Sequence, residues 1–400
     1  MKVLMLGWEL PPHNSGGLGT ACFQLCKELA GSGVDIDFIL PYDAEHDIDF
    51  MNIVPAVDQS IDEFPSLLSA YDSKNYATLT NKLYGDLYNQ TVQYELGVSK
   101  IAKYAEFDVI HAHDWLTFRA ALKAKQITGK PLIVHVHATE YDRAGGNRGN
   151  PLVEEIEYNA MALADKIVAV SEYTKQVIVK HYGIPADKIE VVHNSIDISA
   201  YSGATEANVF QYLEVMKKNG WSVIGSIGRL TIQKGLTNLL KATAKVVHKA
   251  PKTLLLLVGS GDMREELIMQ AAEYGIASNV IFVEFLRGKA HRNAFEICDI
   301  FAMPSVSEPF GITPLEAIGF GVPALVSNQS GVAEVVKNVL RVDYWDVDSM
   351  ANQLHTAVTS PEMLSTLREE SYAELEKLSW QSSARKLKDL YATPHVWSRA

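Results

Sequence analysis

The residues best suited to chemistry are cations and carboxylates set in glycine- and proline-bearing loops. The run Gly225-Ser-Ile-Gly228-Arg229-Leu-Thr-Ile-Gln-Lys234-Gly235 puts an Arg and a Lys five positions apart, between a strand and a helix predicted to begin near Gly235. Such a pair suits a diphosphate. A guanidinium forks onto paired oxygens, an ammonium adds a point charge, and helix amides add their dipole. A solvated basic turn is the plain alternative, but a chain this acidic placing both cations beside a strand end favours the anion site. Further on, Ser307-Glu308-Pro-Phe310-Gly311-Ile312-Thr313-Pro-Leu-Glu316 carries two carboxylates on a loop entering a helix. Glu316 is expected inside the first helical turn and Glu308 in the loop before it. One carboxylate can grip a ribose diol while the other reaches sugar hydroxyls, and Gly311 exposes amides that can hold the ligand.

The first half holds a second set. A loop from Glu9 to Gly19 contains Gly16, Gly17 and Gly19 and leads into a helix, so its amides can approach an anion. It is not the dinucleotide fingerprint, because Cys22 stands where the third glycine belongs. Two later runs, Asp108-Val-Ile-His111-Ala-His113-Asp114-Trp115 and His135-Val-His137-Ala-Thr-Glu140-Tyr-Asp142-Arg143, end strands. Histidines and carboxylates there can hydrogen-bond sugar hydroxyls or orient an acceptor. Asp114 and His137 read as functional. His111 and His135, deeper in their strands, read as satisfied core histidines. The paired His-x-His spacing could ligate zinc, but no signature fixes a coordination geometry, and no metal is expected. Cys22 and Cys26 read as small apolar positions on a helix, with no His completing a ligand set nearby. Asp-x-Asp pairs at Asp35/Asp37, Asp47/Asp49 and Asp346/Asp348 stand in no recognisable donor loop and read as solvated acids, with Asp37 inside a predicted strand.

These residues need a scaffold that brings strand ends together. Apolar runs at 2–8, 36–40, 107–112, 132–136, 167–170 and 189–192 alternate with helical patterns, of which 20–30 is stopped by Gly31 and Gly33. The alternation breaks in a polar stretch opened by Tyr201-Ser202-Gly203 and restarts with runs at 222–227, 253–258, 279–282, 300–303 and 324–326. Continuous apolar strands alternating with helices mean parallel sheets covered on both faces. The expected fold class is therefore α/β, as two Rossmann-like doubly wound domains over 1–205 and 206–378. A last helix over 379–391 has Trp380, Ala384, Leu387, Leu390 and Tyr391 on one side. Ligands sit outside the carboxyl ends of such strands.

Composition narrows the class. The 400 residues exceed one hydrophobic core, and the formal net charge of −12 argues against nucleic acid or anionic lipid as partner. The basic stretch Arg119, Lys123, Lys125, Lys130 reads as a solvated helix face. Three cysteines argue for a reducing compartment rather than a disulfide framework. The sequence opens on a strand and has no apolar run of transmembrane length, so a cytoplasmic location is expected.

Taken together, the motifs resemble the retaining nucleotide-sugar transferases of glycosyltransferase family 4, with glycogen synthases and sucrose synthases sharing the pattern. The resemblance runs from Gly16-Gly17 to the helix with Trp380, with supporting matches at Asn194, Gly259…Gly261 and Gly319-Phe-Gly-Val-Pro323. It implies the GT-B fold, with two facing domains and the C-terminal helix (379–400) returning to the first. It implies a nucleotide-sugar donor, UDP- or ADP-glucose, and a sugar or glucan acceptor, with no cofactor. It assigns the diphosphate to Arg229 and Lys234, the ribose to Glu316 and the transferred sugar to Glu308. The backbone around Phe310, Gly311, Ile312 and Thr313 holds sugar and phosphate. Gly16 and Gly17 approach the donor, His137 contacts the sugar near the reacting centre, and Asp114 matches the acid of the glycogen-synthase His-Asp-Trp motif. Three departures, Asn14, Ser195 and Ser260-Gly261-Asp262, point away from an ordinary ADP-glucose glycogen synthase.

Rival readings are an NAD-dependent oxidoreductase, which the incomplete glycine fingerprint disfavours, a sugar-nucleotide 2-epimerase, a phosphorylase, and a non-catalytic nucleotide-sugar-binding protein. Nicotinamide binding, changed C2 stereochemistry, a requirement for phosphate, and donor binding without turnover would respectively mark them.

Overall fold

Each apolar run becomes a buried parallel strand in the computed structural model, which describes residues 1–13, 16–57, 82–201 and 208–392. Contacts divide the chain into two units. The first comprises Met1–Arg143, Asn147–Ser195 and the chain from Ser379, and the second Ile196–Leu378 with Ala144–Gly146. Acceptor contacts are expected mostly in first-domain loops such as those within 43–84, and residues 58–81 of these, the departure at Asn14 and the expected boundary at 205 lie outside the described residues.

In the first unit, β1 (Lys2–Leu6), β2 (Asp35–Leu40), β3 (Asn52–Pro55), β4 (Val109–His113), β5 (Leu132–Val136), β6 (Lys166–Ala169) and β7 (Ile189–Val191) form one sheet in the order β3-β2-β1-β4-β5-β6-β7. In the second, β8 (Ser222–Ile227), β9 (Thr253–Val258), β10 (Val280–Val283), β11 (Ile300–Met303), β12 (Ala324–Ser327) and β13 (Leu340–Val342) follow the order β10-β9-β8-β11-β12-β13. Every pairing is parallel. Both orders reverse direction once, between β1 and β4 and between β8 and β11. Such a reversal leaves a crevice at the strand ends, because the flanking loops turn to opposite faces.

The cores follow from the pattern. Leu4, Leu6, Ile110, Leu132 and Val134 anchor the first, and Ile224, Leu255, Leu257, Ile300 and Leu325 the second. Helix Trp380–Ala392 joins the first unit by burying Trp380, Ala384, Leu387 and Tyr391 and packing on helix Gly17–Gly31. Leu390, expected on the same side, is only half-buried. Arg119 and Lys125 do not form a merely solvated face, since they pair with Glu95 and Asp165. Asp37 is buried in β2 against Lys2, and Asp346 caps helix Val347–Thr359.

Candidate active site

In the second unit, the site grows from the β8/β11 reversal. The loop after β8 runs hard against the loop after β9. Gly228 N donates to Val258 O at 2.9 Å and Leu230 N to Ser260 O at 2.9 Å. A Cβ on Gly259 would lie 1.9 Å from Gly228 O, so no side chain fits at this crossing. The chain then makes a short 3₁₀ turn, Ile232–Lys234, and enters helix Leu236–Lys249 through Gly235. Gly235 has φ +66°, and a Cβ there would meet Pro304 O at 2.1 Å. This contact locks the start of that helix to the end of β11.

Lys234 and Glu308 meet as a result. Their Nζ and Oε2 are 2.5 Å apart, with side chains 16 % and 11 % exposed. Ser305 Oγ donates to the same carboxylate oxygen at 3.0 Å. Gln233 ties the two loops, its Nε2 donating to Ser307 O at 2.9 Å and its Oε1 accepting from the Arg229 guanidinium at 3.2 Å. A small pocket at this point is lined by Gly228, Arg229, Lys234 and Met303. The Glu308 loop is held in place by its backbone, with Glu308 N donating to Gln329 O and Gly331 N to Glu308 O.

Phe310 is buried, Gly311 (φ +94°) caps helix Ile312–Gly319, and Ile312 and Thr313 are half-buried at its start. Glu316 is the fifth residue of that helix, so it lies in the second turn rather than the first. Its carboxyl group is shielded from water, which pushes it up to about 7 against the lowering effect of the Tyr201 hydroxyl. That hydroxyl donates to Glu316 at 3.4 Å, and the Tyr201 ring meets Phe320 edge-on at 4.7 Å. Tyr201, which opens a polar stretch in the sequence, is a partner of Glu316 instead, and its one sequence signal is an aromatic at the end of a 3₁₀ turn.

In the first unit, helix Gly17–Gly31 starts beside Glu9, whose carboxylate accepts from Gly16 N at 3.3 Å. A Cβ on Gly17 would meet none of the described residues within 4 Å. Asp114 has φ 59° and is 1 % exposed. Its Oδ1 accepts from His137 N at 2.7 Å and Ala138 N at 3.3 Å. Through these two bonds Asp114 holds the His137 loop in place. Next to it, the Thr139 amide and hydroxyl both donate to Asp142, capping helix Glu140–Arg143. Arg143 lies between Glu140 and Glu157, and its guanidinium also donates to Ala138 O at 3.2 Å. Burial pushes Glu157 up to about 7 despite Arg143.

His137 Nε2 lies 2.9 Å from His113 Nδ1, in a buried group with His111 and His135. Burial lowers the pKa of all four rings, with Asp114 partly opposing this at His137. His111 is satisfied as expected, by the Tyr391 hydroxyl at 2.5 Å and His135 Nδ1 at 3.2 Å. His135 is not, because its Nε2 has no hydrogen-bond partner among the described residues. The view that Cys22 has no His nearby is also corrected, since its Sγ lies within 4.8 Å of nitrogens of His113 and His137.

The structure thus unites Arg229, Lys234, Glu308 and the helix carrying Glu316 in one unit, and Gly16, Gly17, Asp114 and His137 in the other. No helix among the described residues is long and apolar enough to cross a membrane.

Known proteins match on both halves. The description "Glycosyltransferase Family 4" fits residues 15–200 and "Glycosyl transferases group 1" fits residues 211–374. An uncharacterized glycosyltransferase of Methanocaldococcus jannaschii is 28 % identical over 98 % of both chains. Glycogen synthase of Mycobacterium tuberculosis is 26 % identical over 84 % of this chain and 80 % of its own. Among solved structures, sucrose-phosphate synthase from Thermosynechococcus elongatus aligns with a TM-score of 0.74 at 18 % identity over 98 % of both chains. Anabaena HepE in complex with UDP and glucose aligns at 0.71 and 19 % identity, over 98 % of this chain and 99 % of its own.

Proposed function

Because the chain belongs to the family 4 glycosyltransferases and has their GT-B fold, we propose that it transfers a hexose, glucose first, from a nucleoside diphosphate to a sugar or glucan acceptor with retention and without a catalytic metal. The observation that carries this reading is the meeting of Lys234, Glu308 and the Arg229–Gln233 pair at the strand-order reversal.

Breaking the anomeric C–O bond drives negative charge onto the diphosphate and positive charge onto the sugar. Arg229, Lys234 and the amides opening helix Leu236–Lys249 oppose the first charge, and Glu308 faces the second. Glu316 takes the ribose, and amides from Gly311 to Thr313 hold phosphate and sugar. Gly16 and Gly17 approach the donor, and His137 contacts the sugar, neutral at working pH because burial lowers its pKa. The acceptor oxygen bonds to C1 on the face the diphosphate leaves, and its proton passes to the departing phosphate oxygen. Glucan synthesis by the Mycobacterium relative and UDP with glucose in the Anabaena complex support a glucosyl donor.

Thermal-shift titration with UDP-, ADP- and GDP-sugars tests the donor, since a bound donor stabilises the fold by mass action. UDP- or ADP-glucose is expected to raise the melting temperature and to turn over with a glucan. If no nucleotide sugar shifts it, the reading is lost.

A pH dependence follows from Glu316. An ionised carboxylate accepts from both ribose hydroxyls, and a protonated one does not. With its pKa at about 7 in the free protein, donor affinity should rise by about 10-fold from about pH 6 to about pH 8. The sugar diphosphate diester has no group titrating there. Calorimetric titration should show the rise in wild type and a flat profile in Glu316→Gln. A slope that persists in the variant removes Glu316 as its source.

A further inference from the structure

The histidine cluster of the first unit carries more donor chemistry than sugar contact needs. His111 and His113 alternate on β4, and His135 on β5 is followed two positions on, just past the strand end, by His137, so the rings gather at one face of the sheet. Met5, in register with His111, adds a thioether sulfur 3.0 Å from His113 Nε2. Three imidazole nitrogens, one each from His111, His113 and His135, lie within 4.8 Å of one another. All three residues are fully buried.

The hydrogen bonds of this cluster do not close. If Tyr391 donates to His111 Nδ1, the His111 proton sits on Nε2 and goes to His135 Nδ1. His135 Nε2 is then a buried N–H with nothing to receive it. In the reverse order the same atom is a buried lone pair with no donor. Among the described residues His135 Nε2 has no partner in either case, and His113 Nε2 has only a thioether facing it. Orphaned buried polar atoms are costly, and one cation bound by lone pairs would satisfy them together. Neutral imidazoles with a nearby thiol and thioether are the donor set that takes zinc and its first-row neighbours, rather than calcium or magnesium.

We propose that this chain holds one divalent transition-metal ion, of the zinc class, on His111, His113 and His135, with the Met5 sulfur beside His113 Nε2 closing the shell. The site is structural, since every ligand is buried and no position is open for substrate. It departs from the absence of metal expected of the sequence and leaves the transfer chemistry to the cations of the second unit. With His113 bound through Nε2, its Nδ1–H donates to His137 Nε2 and fixes that ring's tautomer, so the ion orients His137 through one hydrogen bond.

A buried site fills as the chain folds. The untagged full-length protein is unfolded in denaturant with a chelator, then refolded with Zn²⁺, with Co²⁺ or without metal. The proposal expects stoichiometric metal after desalting, a raised melting temperature, and four-coordinate ligand-field bands for Co²⁺. His135→Gln should weaken binding at least about 10-fold, since loss of even an outer partner costs about 10–100-fold. Retention of no metal, or equal retention by His135→Gln, overturns it. Should that variant not fold, X-ray absorption on the zinc-loaded wild type decides. An imidazole shell at about 2.0 Å supports the site, and an oxygen-only shell overturns it. None of these readouts involves glycosyl transfer, so they stand apart from the donor assignment.

Discussion

Lys234→Ala should lower the rate of glycosyl transfer by about 10²–10³ at saturating donor, by analogy with removal of one preorganised donor to a developing oxyanion. The expectation rests on where the charge sits. The Lys234 side chain is 16 % exposed and lies beside the pocket at the end of β8, where little water screens its charge. Diphosphate is already charged in the bound donor, so part of the loss should appear in KM. The charge that grows during bond cleavage appears only in the transition state, so most of the loss should appear in kcat. Removing Lys234 also leaves Glu308 with Ser305 as its remaining side-chain donor of those described here. Single-turnover kinetics at saturating donor should therefore be paired with a melting curve, to separate lost charge from lost fold. Lys234→Arg keeps the charge and should recover part of the rate. Full turnover by a folded Lys234→Ala protein would remove the cationic mechanism.

Arg143→Met should destabilise the first unit by about 3–5 kcal/mol, the usual result of breaking a buried ion pair by removing one partner. Arg143, Glu140 and Glu157 have side chains 2 %, 0 % and 3 % exposed, so the two carboxylates left behind have little access to water. Glu157 keeps hydrogen bonds from Glu140 N and the Tyr182 hydroxyl, and Glu140 one from Asn150 N, but none of these supplies positive charge. The pH dependence gives the sign. Burial already raises Glu157 to about 7 from its ordinary value of 4.5. Between those values the folded state binds more protons than the unfolded one, so its contribution to stability is full below about 4.5 and lost as pH rises to about 7. Without Arg143 the folded-state value moves higher, and the loss extends to higher pH. The variant should therefore trail wild type least near pH 5 and most near pH 8. Urea unfolding with hydrogen exchange, which separates the two units, measures this. A deficit that is absent, or equal at both pH values, would show that the guanidinium does not hold these charges together. Because Arg143 also holds Ala138 O, the variant should lose His137 geometry as well.

Local features were legible in the sequence because they depend on neighbours along the chain. β5, β8, β9 and β11 have the bounds their apolar runs gave, since a strand buried on both faces needs uninterrupted apolar residues. The edge strands Asn52–Pro55 and Leu340–Val342 were not legible, being short and largely half-buried. The cation loop and the carboxylate loop could each be read, with their residue types and with helices following them. Their meeting could not: Lys234 and Glu308 are 74 positions apart, and only the strand order that lays β8 beside β11, with Pro304 O pressed against Gly235, brings them together.

The same division holds in the first unit. The i, i+2 spacing of the histidines fixed that His111 shares a face with His113, and His135 with His137. Only the register of β4 on β5, and the return of Tyr391 from 280 positions away, packed the four rings into one dry cluster with an unsatisfied nitrogen. Sequence by itself determined which residues could be strands, turns and charged loops, because dihedral preference and hydrophobic periodicity act over a few residues. The tertiary structure decided which of those loops share a pocket, because strand order and register are set by burial of whole sheet faces, a property no short segment possesses.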